Sequence, residues 1–86
     1  MDKKYAVVGM LVNRRKKAAP LVQHILTDFG DQIIGRMGLP EGHGDNKEDG
    51  LITLTMHASA ADIAEMTSQL DAIEGVAINV ATITKE

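Results

Sequence analysis

Four consecutive cations, Arg14, Arg15, Lys16 and Lys17, stand directly before an amphipathic stretch that begins at Ala18. The first turn of an α-helix leaves backbone N–H groups unpaired and is the positive end of the helix dipole. Acidic residues are therefore favoured there, by about 0.3–1 kcal/mol each when exposed. This helix breaks that rule and even places Asp28 near its negative end, whereas a later helical segment obeys it with Asp62 and Glu65 early. A local preference broken without visible compensation points to function. Free N–H groups beside four cations would attract an anion such as phosphate, a nucleotide or an acidic partner surface. With Gly9 on the preceding strand and Asn13 opening the turn, Arg14, Arg15, Lys16 and Lys17 form the first candidate effector- or anion-binding set. Gly35, Arg36 and Gly38 on the next strand form the alternative. The plainer readings are a solvated basic turn and, for Gly9, a bulge or simple packing.

Other chemistry is thinner. The loop Glu41-Gly42-His43-Gly44-Asp45-Asn46-Lys47-Glu48-Asp49 fails as a calcium loop, because Lys47 takes a ligand position and Met56 stands where the closing Glu is required. A looser site from His43, Asp45 and Asp49 stays open beside the reading of a solvated acidic loop, and no resident metal or cofactor is expected. His57 ends a strand and is expected to face the turn into the second helix. His24 stands one helical turn before Asp28, which suggests a surface pair. No G-x-S-x-G, no phosphate-binding G-x-x-x-x-G-K and no nucleophile–base–acid set can be assembled, so an enzyme is not expected. RNA-recognition modules stack bases on aromatic residues of their central strands. A chain with one Tyr and one Phe is a poor candidate for that role. DNA binding by the basic turn alone would be weak and salt-dependent.

Six elements must position these residues. Lys4 to Val12 reads as a strand apolar on both alternating sets, Tyr5, Val7 and Leu11 on one face and Ala6, Val8, Met10 and Val12 on the other. Such a strand is buried on both faces. Ala18, Leu21, Val22, Ile25, Leu26 and Phe29 form one helical stripe. Pro20 fits only the first helical positions, which starts the helix near Lys17 or Ala18. Gly30 is expected to end it as the C′ residue. Gln32 to Met37 and Leu51 to Met56 read as strands around a polar loop over 39–49. Ser59 and Asp62 resemble a capping box opening a second helix, whose buried stripe is Ile63, Met66, Leu70 and Ile73. Gly75 stops it, and Val76 to Thr84 is a β-branched last strand.

The order β-α-β-β-α-β is the split βαβ plan, an α+β ferredoxin-like fold. It implies a four-stranded antiparallel sheet with two helices on one face. Eighty-six residues make a single domain over 1–86, with a small core and no cysteine to staple it. The far face of the sheet is apolar too, through strand one, Leu51 and the Ile78/Val80 set. Another subunit is the simplest cover, so self-association through the sheet into a dimer or tetramer is expected. Residues 1–36 carry seven bases against three acids and residues 37–86 two against nine, +4 and −7. Such asymmetry can orient subunits or steer an anion, or be an ordinary solvated surface. The apolar runs are too short to span a membrane, and Met1-Asp2-Lys3-Lys4 leads into no signal-peptide core. A cytoplasmic location is expected.

The stretches YAVVGMLVNRRKKA leading into LVQHIL, then DFGDQIIGRMGLP, GLITLTMHASAADIAEMTSQL and IEGVAINVATI, resemble the iron-only hydrogenase system regulators over nearly the whole chain. That family is small and ACT-like, and related in shape to the C-terminal effector domain of nickel-responsive repressors. The resemblance implies a regulatory, effector-binding domain, tied to hydrogenase expression or maturation and to transcriptional regulation, that works as an oligomer. The alternatives are a protein-interaction subunit without a small ligand, and a metal sensor. The His-x-His pair of the nickel repressors is absent, since Gly38 and Pro40 stand in its place. Their cysteine ligand and ribbon-helix-helix segment are absent as well. Where amino-acid-binding ACT domains have a small Gly-containing turn, this chain has Asn13-Arg14-Arg15-Lys16-Lys17.

Overall fold

The computed structural model describes residues 2–39 and 48–85. Strand β1 (Lys3–Asn13) runs into a 3-10 turn at Arg14–Lys16, followed by helix α1 (Ala19–Asp28). A second 3-10 turn at Gly30–Gln32 leads to β2 (Ile33–Leu39). Then come β3 (Asp49–Ser59), α2 (Ala60–Asp71) and β4 (Val76–Ile83). The strands form one sheet in the order β2-β3-β1-β4, antiparallel at every pairing. This is the ferredoxin-like α+β plan expected from the order of elements.

One face of the sheet carries the core. Ala6, Val8, Met10 and Val12 of β1 and Leu54, Met56 and Ala58 of β3 are buried against Val22 and Leu26 of α1 and Ile63, Met66 and Leu70 of α2. Period-two alternation along the strands meets period-3.6 stripes on the helices, so both helices cover the same face. No polar or charged side chain is buried among the described residues.

The two helices begin differently. Ser59 Oγ accepts the backbone N–H of Asp62 at 3.1 Å, the expected N-cap of α2. The Asp62 carboxylate does not close the box on Ser59; it accepts from Gln32 Nε2 at 2.6 Å and ties α2 to the turn before β2. Helix α1 has Ala18 at its N-cap, with no side-chain hydrogen bond and Pro20 in its first turn. Lys17 precedes it with φ 55°.

Several expectations need correction. Gly30 takes the C′ position after the Phe29 C-cap, but without the left-handed φ of a glycine stop, because the chain runs straight on into the following 3-10 turn. Leu21 is 57 % exposed, because the stripe of α1 that meets the sheet is narrower than its apolar run. Ile78 and Val80 pack against the core from the helix side, and Ala77, Asn79, Ala81 and Ile83 face the other way. His57 does not face the turn into α2; it pairs with Tyr5 in the β1–β3 ladder and their rings stack, centroids 4.5 Å apart. The alternation of each strand is legible in sequence, but which set meets the helices depends on the register between elements.

Candidate functional site

The register settles where each candidate residue lies. On the helix-covered face, β2 contributes Arg36 and Gly38, paired with Leu54 and Ile52 of β3. Gly50 of β3, paired with Val12, shares that face one row further along. Two glycines therefore sit where neighbouring positions carry Leu and Ile. Above them lies the first turn of α1, with Ala19, Val22 and Gln23. Both glycines line a cavity of about 340 Å³, together with Val12, Val22, Ile52, Leu39 and Leu51 and with Arg14 and Arg36. The two alternative sets read from the sequence thus meet: Arg14 of the first and Arg36 and Gly38 of the second share one cavity.

The rest of the first set is dispersed. Arg14 holds its place through its backbone N–H, which donates to Glu48 O at 2.8 Å, and Arg15 follows in the same 3-10 turn. Lys16 turns the other way and pairs with Glu74 at 3.1 Å, both side chains largely exposed. The left-handed Lys17 separates this turn from α1, and the two cations part: Arg14 lines the cavity beside Ala19, while Lys16 pairs with Glu74. Asn13 Nδ2 donates to Asp49 Oδ1 at 3.0 Å, and the backbone N–H of Asn13 donates to Gly75 O at 2.8 Å. Gly75 needs its φ of 91° there, and a Cβ on it would lie 2.7 Å from Lys16 Cβ.

Gly9 lies on the uncovered face of the sheet. The register arranges that face in rows across β2, β3, β1 and β4: Leu39–Leu51–Leu11–Ala77, Met37–Thr53–Gly9–Asn79 and Gly35–Thr55–Val7–Ala81, then His57–Tyr5–Ile83 on three strands. None of these positions is Lys, Arg, Asp or Glu. Charge appears only at the ends of β1 and β3, with Lys3 at one end and Asp49 beside Asn13 at the other. Tyr5, Val7, Leu11, Met37, Leu39, Leu51 and Ile83 are all exposed, Met37 to 66 %. Gly9 makes a shallow depression in the middle, between Leu11, Leu51, Ala77 and Asn79. A Cβ added at Gly9 would meet nothing within 4 Å, so this chain alone has no packing need for a glycine there.

His24 Nε2 lies 3.7 Å from Asp28 Oδ2 with both side chains exposed, the surface pair expected. His43 and Asp45 lie outside the described residues. Among the described residues no group of three or more His, Asp or Glu side chains is placed to hold a metal ion. The Tyr5–His57 stack is not legible in sequence, because it arises only from the register that pairs β1 with β3. Nor is the role of Gly50, which shows only once β3 is paired with β1.

A four-stranded βαββαβ sheet, bare and uncharged on one face and cavity-bearing under α1 on the other, defines a small ferredoxin-like α+β domain. The chain belongs to the TM1266-like family, whose description reads "Iron-only hydrogenase system regulator, putative" and whose model matches residues 4–80. The uncharacterized protein TM1266 of Thermotoga maritima shares the fold with a TM-score of 0.87 at 23% identity, over 96% of this chain and 100% of that one. A proposed PII-like signalling protein of Thermus thermophilus is similar at TM-score 0.57 and 15% identity, over 96% and 91% of the two chains. The apo form of CPII from Thiomonas intermedia, a nitrogen regulatory PII-like protein, is similar at TM-score 0.52 and 13% identity, over 96% and 95%. No curated protein sequence matches the chain.

Proposed function

We propose that this chain is a non-catalytic regulatory domain of an iron-only hydrogenase system. It works as a self-associated unit whose uncovered sheet faces pack together, and it responds to a small effector. The observation that carries this reading is the uncharged apolar face that crosses all four strands. Monomeric proteins seldom leave such a face in water. Strands about 4.8 Å apart give a patch about 19 Å wide and roughly 25 Å long. Two such patches bury about 1,000 Å², the size at which specific interfaces begin. An apolar centre with polar ends is also the usual anatomy of an interface. A second copy is the occupant that fits best, because the face offers no charge with which to select a different partner. The depression at Gly9 would receive a side chain from that copy.

Sedimentation velocity at micromolar concentration tests the assembly. The expected result is a dimer or tetramer for the native chain and a folded monomer for Val7→Asp. A native chain that sediments as a monomer overturns the reading. In a host with an iron-only hydrogenase, deletion of the gene is expected to change hydrogenase transcript or enzyme level; unchanged levels would remove the regulatory link. A thermal-shift screen with amino acids, nucleotides, phosphate and organic acids tests the effector. A ligand at about a hundred times its dissociation constant adds about 2.7 kcal/mol, a rise of roughly ten degrees or more in so small a domain.

A further inference from the structure

We propose that the cavity under α1 binds a small organic anion with an apolar body, its acidic group held by Arg36, with Arg14 in the same lining adding positive charge. This inference rests on the effector-binding reading above and names the chemistry of the effector. Three observations on the cavity carry it. First, Gly38 and Gly50 line it on the covered face, where other strand positions carry apolar core side chains. A Cβ at Gly38 would meet nothing within 4 Å, so the gap is open space that a larger residue could have filled. Second, its floor is Val12 at 6 % exposure and the fully buried Val22, beside Ile52. That lining suits a hydrocarbon or aromatic body and offers little to a polar one. Third, two arginines, Arg36 and Arg14, line this apolar space. Arg36 has no ion-pair partner among the described residues, although the chain as a whole has an excess of acids.

Arginine presents a planar fork of donors that matches the two oxygens of a carboxylate or a phosphate. An anion held there would be charge-assisted at one end and desolvated at the other. At about 340 Å³, the cavity lies near the small end of the range for ligand pockets. A medium-chain or aryl acid fits that volume, with carboxylate or phosphate monoester as its head group.

Octanoate and octyl phosphate serve as probes below their micellar concentrations, with inorganic phosphate and octanol as controls. Binding is followed by amide chemical shifts in ¹H–¹⁵N NMR spectra. We expect one or both octyl anions to shift Ala19, Gln23, Gly38 and Gly50, and the stronger of the two identifies the head group. Arg36→Gln is expected to weaken binding about tenfold or more, from the loss of a charge-assisted hydrogen bond. Gly38→Leu is expected to fill the space and abolish binding in a chain that stays folded. Equal binding of octanol would reduce the site to an apolar hole and overturn the proposal. Shifts confined to Gly9, Thr55 and Ala77 would place the probe on the open sheet and overturn it too, as would no shift at all. Sedimentation of the same samples keeps the two readings apart: an intact assembly without octyl-anion binding removes this proposal alone.

Discussion

Strands β1 and β3 carry two surfaces of similar apolar content and opposite fate. Ala6, Val8, Met10, Leu54 and Met56 are almost wholly buried beneath the helices. Tyr5, Val7, Leu11 and Leu51, at alternate positions along the same strands, stand in the open. Leu54 is 1 % exposed and Leu51 is 38 % exposed. Since hydrophobicity barely distinguishes the two sets, the contrast teaches that a residue's energetic worth here comes from what covers it. The covered face is completed by the chain itself. The open face is completed, on our reading, by another copy.

The sharpest way to break that contrast is to place the same charge on each side. Val8→Asp puts an unpaired carboxylate under the helices and is expected to leave the domain unfolded by circular dichroism. Val7→Asp is expected to keep the native spectrum and lose self-association. If both unfold, the open face belongs to the folding core, and the contrast fails. Truncation gives a smaller, graded version of the same test. Leu54→Ala should cost about 2–5 kcal/mol in urea denaturation, and Thr55→Ala on the other face should stay within about 0.5 kcal/mol.

Two further substitutions sharpen the comparison at the points where α2 is seated over the covered face. Gly75→Ala forces a side chain into the left-handed region and against Lys16 Cβ, 2.7 Å away. It should cost about 1–3 kcal/mol by the same measurement. Ser59→Ala removes the hydrogen bond to the Asp62 N–H and should cost about 1 kcal/mol. The smallest effect on the single chain is expected from Gly9→Ala, whose new methyl meets nothing within 4 Å. Near-neutral stability of the monomer together with weaker association would show that the depression is shaped for a neighbour; unchanged association would show that it is not.

Much of the fold was legible in the residues because its signals are local. Strand alternation, the stripe of Ile63, Met66 and Leu70 and the cap at Ser59 each depend on a few neighbours in sequence. Helix α2, however, ends at Asp71 with Ala72 as its C-cap, and Gly75 serves the turn into β4 rather than the helix stop expected of it. The misreadings share a different origin. The faces of Ile78, Val80 and His57, and the exposure of Leu21, follow from how elements meet, which no single segment encodes.

The candidate site shows the same division. The sequence alone determined the βαββαβ order, the surplus of apolar residues beyond one core and the presence of cations near the β1–α1 turn. Only the tertiary structure decided that these cations part company, with Lys16 going to Glu74 and Arg14 to the cavity. It also brought Arg36 and Gly38 to Arg14 across more than twenty residues of chain. The physical reason is that periodicity and capping are written in contacts a few residues apart. A cavity, by contrast, is a place where side chains from distant segments fail to fill space, and that absence appears only when β2, β3 and α1 are packed together.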